Sequence, residues 1–198
     1  MYLKIGVFFL AYLMGSIPTA FWYAKYFHGI DIRQHGSGNV GATNSLRVLG
    51  KKAGIIVLIF DLLKGLLPVL LSRYLGFSEE ETFLVGIVSI LGHIWSVFAN
   101  FKGGKGIATS LGVILAVSPA GAVVSVLVFV AVVFFTKYVS LGSLLAGLTF
   151  VLYYLLFNSS QTLMSLIAFL LFVLLVYTHR ENIKKLLKGT ENKLSSKK

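Results

Sequence analysis

The chain has no cysteine, only three prolines and only 7 acidic residues. The missing cysteine excludes disulfides, thiolate nucleophiles and metal sites built on thiolates. The chain has 18 Lys and Arg residues against these 7 acidic residues, so its formal net charge is +11. In a membrane protein such an excess reports topology, because cytoplasmic loops collect Lys and Arg, and it does not imply nucleic acid as a partner.

Apolar residues are abundant, at 57% of the 198 residues with a mean hydropathy of +0.86. This composition is too apolar for a soluble domain, and the apolar residues fall into several separate runs. We therefore predict an all-α polytopic membrane protein. Only Lys4 precedes the apolar run from Ile5, which does not match a signal peptide, so this run is expected to be a retained first span.

A crossing helix needs roughly 20 residues to span ~30 Å of hydrocarbon. The run from 106 to 136 exceeds one crossing and contains Pro119 and Gly121, so it forms either one kinked helix or two short antiparallel helices. With the run divided, the candidate spans are 4–26, 53–75, 82–99, 106–118, 120–136, 140–157 and 162–178.

The distribution of charge decides between six and seven spans. With seven spans and the N-terminus outside, fifteen of the 18 cations fall on the cytoplasmic side with the C-terminus. Lys4 and Arg73 stay outside, and Lys64 lies within a span. Six spans would split the cations between both sides, against the positive-inside rule. The sequence therefore predicts seven spans in a single domain, 1–198, with a disordered tail at 194–198.

A segment rich in glycine and polar residues occupies 36–44. It matches G-x-G-x-x-G, but no strand precedes it, so a dinucleotide site is rejected. Ser37 could donate to or attack a substrate, Asn39 and Asn44 could orient it, and Arg47 could clamp a phosphate. Equally, these polar residues could serve as turn and capping residues of the loop.

A second such segment comprises Gly103, Gly104, Lys105 and Gly106, at the predicted start of a helix that contains Thr109. Backbone N–H groups at a helix start, together with a lysine, can wrap an anion. The alternative is that small residues let helices pack closely and that the lysine fixes topology. If the three polar segments share the cytoplasmic face, they can form one site.

The third polar segment holds His179 and Asn182, which share a face if the last helix continues. His179 could orient a substrate or act as a base. Asp61 and Lys64 lie deep in the second span, where they can form an ion pair, and Lys64 is also a candidate phosphate contact. His93, close to Trp95, is expected to be an interfacial structural residue. No cluster has metal-ligand spacing, so no metal is predicted.

Several motifs together resemble the bacterial acyl-phosphate-dependent glycerol-3-phosphate acyltransferase family, PlsY. The resemblance covers nearly the whole chain, from Gly15 to Glu191, and departs at Val40 and Ser96, where relatives often carry proline. It rests on Ser37-Gly38-Asn39-Val40-Gly41-Ala42-Thr43-Asn44 with Arg47, Asp61-Leu62-Leu63-Lys64-Gly65, Gly92-His93-Ile94-Trp95, Phe101-Lys102-Gly103-Gly104-Lys105-Gly106-Ile107-Ala108-Thr109, and His179-Arg180-Glu181-Asn182-Ile183.

The resemblance implies an enzyme of the bacterial cytoplasmic (inner) membrane that acts in phospholipid synthesis, with its active site facing the cytoplasm. Its substrates would be acyl phosphate and glycerol 3-phosphate, without cofactor, metal, nucleic acid or an obligatory protein partner. Ser37, His179 and Asn182 would be catalytic. The other site residues would bind substrate, namely Asn39, Asn44, Arg47, Lys64, Gly103, Gly104, Lys105, Gly106 and Thr109. A membrane transporter of a phosphorylated metabolite is the alternative.

Overall fold

The computed structural model describes residues 1–157 and 162–194, and every regular element within those ranges is helical. Short 3-10 turns at Ile32–Gln34 and Val97–Ala99 accompany the α-helices. The helices are α1 (Tyr2–Gly15), α2 (Thr19–His28), α3 (Ala42–Leu49), α4 (Lys51–Tyr74), α5 (Glu79–Ile94), α6 (Ile107–Val117), α7 (Pro119–Thr136), α8 (Val139–Phe157), α9 (Thr162–Thr178) and α10 (Arg180–Leu187).

The helices suit a membrane protein, as predicted. By length and composition, four segments among the described residues could each cross a membrane: α4, Glu79–Ala99, α7 and α8. Two bent pairs raise this number to six, α1 with α2 at 41° and α9 with α10 at 62°. The apolar helix α6 has 11 residues and is shorter than a full crossing.

The predicted span 4–26 is not one continuous helix, because the helix is broken at Ser16–Pro18. The chain turns after α1, where the Ser16 amide still donates to the Tyr12 carbonyl at 2.9 Å. Pro18 has no N–H to continue the helical ladder, so α2 starts anew at Thr19. The axes of α1 and α2 therefore differ in direction by 41°.

The long run 106–136 forms two separate helices and not one kinked helix, and that they are antiparallel crossings stays a prediction. Between α6 and α7, Ser118 has φ −145° and ψ 83°, outside the helical region. Pro119 occupies the first turn of α7, where a missing N–H carries no cost.

The protein comprises two compact units. The first, Met1–Val117, contains α1 to α6, and the second contains α7 to α10. In the first unit α4 packs against α1, α3, α5 and α6. In the second, α8 packs against α7 and α9, and α10 contacts α8 and α9. That the whole chain is one domain stays a prediction.

Two glycines set the crossing of α4 and α6. A methyl group on Gly65 would lie 2.1 Å from the Thr109 carbonyl oxygen, and one on Gly112 would lie 2.0 Å from the Leu62 carbonyl oxygen. The two backbones therefore touch directly, as small residues allow in membrane helix pairs. This contact fixes α6 against α4 and thereby places the loop that precedes α6.

The short helix α3 was not separated from loops in the sequence-based prediction, and α10 was considered only as a continuation of the last span. Each has 8 residues and a polar composition, so neither resembles a membrane span. The predicted disordered tail, 194–198, lies outside the described residues except for Leu194. The amide of Leu194 donates to the Lys137 carbonyl at 2.8 Å, so this residue is attached to the second unit.

Candidate active site

The loop between α2 and α3, residues 29–41, is called the Ser37 loop. It is braced by the side chain of Asn44, on the first turn of α3. The Ser37 amide donates to Asn44 Oδ1 at 2.9 Å. Asn44 Nδ2 in turn donates to the carbonyls of Ile32 at 3.3 Å and His35 at 3.0 Å. Asn44 is 1% exposed, and both of its amide hydrogens are used inside the protein. The structure thus gives Asn44 a bracing contact with the loop, and direct substrate contact stays a prediction.

The start of the same loop is fixed to α2 by Asp31 and Arg33. Arg33 Nε and Nη2 donate to Asp31 at 2.9 and 2.7 Å, and the guanidinium lies 4.5 Å from the Phe21 ring centroid. The hydrogen bonds from the Arg33 side chain hold the pKa of the Asp31 carboxyl below its usual value. Both ends of the Ser37 loop are therefore held by side chains.

Two further backbone N–H groups of this loop are used internally. Gly38 donates to the His35 carbonyl at 3.0 Å, and Gly41 donates to the Asn39 carbonyl at 3.2 Å. Ser37 is exposed, whereas Asn39 and, on α3, Arg47 are half-buried. These internal bonds fix the backbone that carries Ser37 and Asn39.

The Gly103–Gly106 loop is also held by backbone hydrogen bonds. The Gly103 amide donates to the Ile94 carbonyl at 3.0 Å, and the Gly104 amide donates to the His93 carbonyl at 3.1 Å. An amide carries a single hydrogen, so these two groups are not donors to an anion in this structure. The expectation that these particular amides wrap an anion was wrong, because the C-terminal carbonyls of α5 take both of them. Substrate contact by other atoms of this loop stays a prediction.

Gly104 brings the first two polar segments together. A methyl group on Gly104 would lie 2.3 Å from His93 Nε2 and 2.4 Å from the carbonyl oxygen of Val40. Val40 belongs to the Ser37 loop, so the two loops touch at this point. The loop residues Ser37 and Asn39 thus lie on one of the touching segments, and Lys105 and Gly106 lie on the other.

Lys64 and Thr109 lie inside the first unit. Lys64 is 5% exposed, and its ammonium donates to Asp61 Oδ1 at 2.6 Å and to the Ile17 carbonyl at 2.8 Å. The predicted ion pair is therefore present. Thr109 is 0% exposed, with its backbone against Gly65. Each residue has a packing or bonding role within the helix bundle, and substrate contact by either one stays a prediction.

His93 is buried, unlike the nearby Trp95. The histidine is 6% exposed, and its Nδ1 lies 3.9 Å from Asp61 Oδ1. The helix α5 turns this side chain toward α4, whereas Trp95, which follows the last residue of α5, is 40% exposed. His93 therefore packs inside the first unit, and its position at the membrane interface stays a prediction.

In the second unit, His179 lies at the junction of α9 and α10. The last helix does not continue straight, because the chain bends by 62° after α9, and His179 is the N-cap residue of α10, whose first turn holds Asn182. His179 Nδ1 lies 2.9 Å from the Leu175 carbonyl, which can only accept a hydrogen bond. Nδ1 therefore carries the hydrogen, and in the neutral ring Nε2 holds the lone pair. This tautomer makes Nε2 a hydrogen-bond acceptor.

Asn182 is oriented by Glu191, a residue that the sequence-based prediction did not include in the site. Asn182 Nδ2 donates to Glu191 Oε1 at 2.8 Å, and the Ser140 hydroxyl donates to the same oxygen at 3.0 Å. The carboxylate thus links α10 to α8. The only sequence signal was an acidic residue within a lysine-rich stretch, directly after Gly189 and Thr190.

The described residues contain no group of three or more His, Cys, Asp or Glu side chains that could hold a metal ion. The acidic residues of the candidate site are instead used in pairs and hydrogen bonds. Asp61 contacts Lys64, and Glu191 contacts Asn182 and Ser140.

Comparison with known proteins identifies close relatives over nearly the whole chain. A family described as glycerol-3-phosphate acyltransferase matches residues 5–189. The chain is 48% identical to glycerol-3-phosphate acyltransferase 2 of Bacillus anthracis, over 97% of this chain and 100% of the relative. It is also 48% identical to a glycerol-3-phosphate acyltransferase of Thermoanaerobacter sp. (strain X514), over 95% and 94% of the two chains.

Two solved structures share the fold. Both are of PlsY, an integral membrane glycerol 3-phosphate acyltransferase. The glycerol 3-phosphate form superposes with a TM-score of 0.91 at 41% identity, covering 96% of this chain and 94% of that chain. The lysophosphatidic acid form gives a TM-score of 0.88 at 40% identity, with the same coverage.

Proposed function

The chain belongs to the glycerol-3-phosphate acyltransferase family, and we propose that it transfers a fatty acyl group from acyl phosphate to the 1-hydroxyl of sn-glycerol 3-phosphate. The products are 1-acylglycerol 3-phosphate (lysophosphatidic acid) and inorganic phosphate, and the reaction belongs to phospholipid synthesis. The observation that carries the proposal is the likeness to PlsY structures in glycerol 3-phosphate and lysophosphatidic acid forms, since these molecules are the acceptor and the product of this reaction.

In the first unit we assign substrate contacts to side chains of the two touching loops. Ser37 and Asn39 bind the acyl phosphate together with the Gly103–Gly106 loop, while Arg47 and Lys105 supply positive charge to glycerol 3-phosphate. This assignment is supported by the contact of the loops at Gly104 and Val40, which brings polar side chains of both segments into one neighbourhood. Cations satisfy phosphate oxygens through charge-assisted hydrogen bonds, which are stronger than neutral ones.

In the second unit we assign His179 and Asn182 to the acceptor, glycerol 3-phosphate. The bond from His179 Nδ1 to the Leu175 carbonyl makes Nε2 the acceptor nitrogen, which suits a contact with a substrate hydroxyl. The bond from Asn182 Nδ2 to Glu191 fixes the side-chain amide and sets the direction of its oxygen. The two residues thus present an acceptor nitrogen and an oriented amide.

The reaction needs orientation and charge stabilisation more than a strong protein base, because acyl phosphate is a reactive mixed anhydride. The glycerol hydroxyl oxygen forms a bond to the acyl carbon, and the bond from that carbon to the phosphate oxygen breaks. The hydroxyl proton passes to the leaving phosphate. Direct attack in this sense is favoured over an acyl-enzyme on Ser37, since positioned cations and hydrogen-bond donors lower the barrier without a covalent step.

Asn44, Lys64 and Thr109 serve the site through structure in this proposal. Asn44 donates both hydrogens of its side-chain amide to carbonyls of the loop. Lys64 donates two of its three ammonium hydrogens, one to Asp61 and one to the Ile17 carbonyl. Thr109 is buried at the crossing of α4 and α6. Phosphate oxygens need hydrogen-bond donors, and these residues use theirs inside the protein or bury them. Their substitution is thus expected to act through loop position.

We propose seven membrane crossings, with the N-terminus outside and the C-terminus and active site at the cytoplasmic face of the bacterial cytoplasmic membrane. The α1–α2 pair then forms one crossing, α9 forms the last one, and α6 forms a short one. At ~1.5 Å per residue, 11 residues reach about 16 Å, so this crossing requires local thinning or burial. The positive-inside distribution of Lys and Arg supports this orientation.

The topology can be tested cleanly because the chain has no cysteine of its own. Single variants Tyr74→Cys and Lys188→Cys are labelled in intact cells with a membrane-impermeant maleimide. We expect labelling at position 74 and none at 188 until the cells are opened. Labelling of both positions, or of 188 alone, in intact cells would contradict the proposed orientation.

The transporter alternative has no support in the family match, because the relatives are named as acyltransferases. The function is tested by giving purified, detergent-solubilised protein palmitoyl phosphate and glycerol 3-phosphate. Phosphate release and lysophosphatidic acid are measured in the same sample, and we expect equal amounts that require both substrates. Phosphate release without lipid product, or no turnover by folded protein in several lipids, would contradict the proposal.

A further inference from the structure

The imidazole of His93 lies between a buried ion pair and the Gly103–Gly106 loop. On one side, Nδ1 is 3.9 Å from Asp61 Oδ1, and Asp61 is paired with the Lys64 ammonium at 2.6 Å. On the other side, Nε2 faces Gly104, where an added methyl group would lie only 2.3 Å from that nitrogen. The ring therefore touches the loop directly.

The backbone of the same residue also supports the loop. The His93 carbonyl accepts the Gly104 amide at 3.1 Å, and the neighbouring Ile94 carbonyl accepts the Gly103 amide at 3.0 Å. Both carbonyls lie in the last turn of α5, where helical carbonyls have no partner within the helix. The position of α5 and of the His93 ring thus determines where the loop runs.

The ion pair lies beside the ring on the side of α4. The distance of 3.9 Å from His93 Nδ1 to Asp61 Oδ1 is longer than a hydrogen bond, so the two side chains are in packing contact. Lys64 also donates to the Ile17 carbonyl at 2.8 Å, so the pair joins α4 to the break between α1 and α2. Ser89, one turn before His93, donates to the Lys64 carbonyl at 2.6 Å and fixes α5 against α4. These bonds fix the helices on either side of the ring, which is packed between them and Gly104.

We propose that His93 is a positioning residue for the acyl-phosphate contacts of the Gly103–Gly106 loop, with its imidazole packed between the Asp61–Lys64 pair and Gly104. The proposal rests on the proposed function, since it concerns the same site. It does not give His93 contact with the substrate or a proton to transfer. Its role is to keep Gly104 against Val40, which sets the spacing of the two loops.

The test compares two variants that differ by one methylene group. In His93→Asn the side chain keeps a polar group at the position of Nδ1 but loses the atoms that touch Gly104. In His93→Gln the side chain is long enough to reach Gly104. Initial rates are measured with purified protein while palmitoyl phosphate and glycerol 3-phosphate are varied in turn.

We expect the KM for palmitoyl phosphate to rise by about 10-fold in His93→Asn and to stay within about 3-fold of the parent in His93→Gln. Ser72→Ala is the matched control, because it removes a buried hydrogen bond, from the Ser72 hydroxyl to the Val69 carbonyl at 2.8 Å, that lies within α4 and outside the network around His93. That control is expected to lower the melting temperature and leave the KM unchanged. A purely structural effect reduces the amount of active protein, which lowers the apparent kcat without raising the KM.

A KM for palmitoyl phosphate within about 3-fold of the parent in folded His93→Asn would overturn the inference. If His93→Asn does not fold, His93→Leu replaces it, since leucine fills much of the ring volume but lacks both nitrogens, and the same 3-fold limit applies. The parent protein is assayed first. Failure of the parent to form lysophosphatidic acid would count against the proposed function, whereas an active parent with an unchanged variant KM would count only against His93.

Discussion

The two glycine-rich segments of the first unit have similar compositions but different supports. The Ser37 loop is held by a side chain, because Asn44 bonds one amide and two carbonyls of the loop. The Gly103–Gly106 loop is held by backbone, through the carbonyls of His93 and Ile94. The first loop should therefore depend on the chemistry of position 44, and the second on the small volume of position 104.

This comparison also changes how glycine-rich segments near a phosphate site are interpreted. In both loops the glycine amides that have described partners donate to carbonyls of the protein itself. These bonds preorganise both loops, and in our proposal side chains of the loops contact the substrate. Preorganised contacts of this kind lower the cost of binding and of reaching the transition state.

The largest expected effect comes from adding volume at Gly104. In Gly104→Ala the new methyl group would lie 2.3 Å from His93 Nε2 and 2.4 Å from the Val40 carbonyl, so the loops must separate. A displacement of about 1 Å at a reacting site can cost roughly 100-fold in rate, so we expect kcat/KM to fall by at least about that factor. Gly6→Ala is the control, because a methyl group there meets nothing within 4 Å. An active Gly104→Ala enzyme would contradict the described contact.

The next effect concerns the side-chain brace of the Ser37 loop. Asn44→Ala removes one acceptor and two donated hydrogen bonds at a residue that is 1% exposed. Unsatisfied buried groups cost about 1–3 kcal/mol, so we expect a lower melting temperature and a roughly 10-fold loss of kcat/KM. Thermal unfolding in detergent and initial rates measure the two effects. Thr43→Ala, on the same helix and half-buried, should leave both near the parent values. Equal behaviour of the two variants would contradict the bracing role.

The second unit extends the comparison, because there too a side chain orients a predicted catalytic residue. Glu191→Ala removes the acceptor for Asn182 Nδ2 and for the Ser140 hydroxyl. One hydrogen bond to a charged group contributes about 1.5–3 kcal/mol, and the lower end of this range predicts a loss of kcat/KM of about 10-fold. Glu191→Gln keeps a carbonyl oxygen and should lose less, within about 3-fold. If both variants lose activity equally, the negative charge rather than the hydrogen bond is the important property.

The smallest effect concerns the pH dependence of the Asp31–Arg33 pair at the start of the Ser37 loop. The Arg33 side chain lowers the pKa of Asp31 in the folded protein. The stability that the Asp31–Arg33 pair contributes is therefore fully present above the pKa of Asp31 in the unfolded chain, about 3.9. This contribution is lost as the pH falls through the lower pKa of Asp31 in the folded protein. Exposed pairs contribute less than about 1 kcal/mol. Asp31→Asn should thus be slightly less stable than the parent at pH 7, and melting curves should converge as the pH falls below about 4. A difference that grows on acidification would contradict this sign.

Much of the helical architecture could be predicted from hydropathy, because each long apolar run needs a helix to satisfy its backbone in lipid. The predicted spans at 140–157 and 162–178 correspond to Val139–Phe157 and Thr162–Thr178. The break at Pro18 was missed, although proline cannot continue a helical ladder. The short helix α3 was missed because a polar helix of 8 residues carries no hydropathy signal.

The residues of the candidate site were harder to interpret, because their roles depend on contacts across long sequence separations. Nothing near Gly104 in sequence indicates that its amide donates to His93 or that its α-carbon lies against Val40. Likewise, Glu191 is separated by 51 positions from the Ser140 hydroxyl that donates to it. Residue types identified which segments carry chemistry, whereas tertiary packing decides which atoms remain for a substrate.

The most direct test asks whether a loop side chain, rather than the glycine amides, holds the phosphate of glycerol 3-phosphate. Lys105→Gln and Lys102→Gln make the same change of charge on the same loop, and Lys102 is exposed whereas Lys105 is half-buried. A charge-assisted hydrogen bond contributes about 1.5–3 kcal/mol, so Lys105→Gln should lower kcat/KM for glycerol 3-phosphate by about 10- to 100-fold. Lys102→Gln should stay within about 2-fold of the parent, since exposed charges contribute little. Equal kcat/KM values for the two folded variants would contradict a specific contact by Lys105.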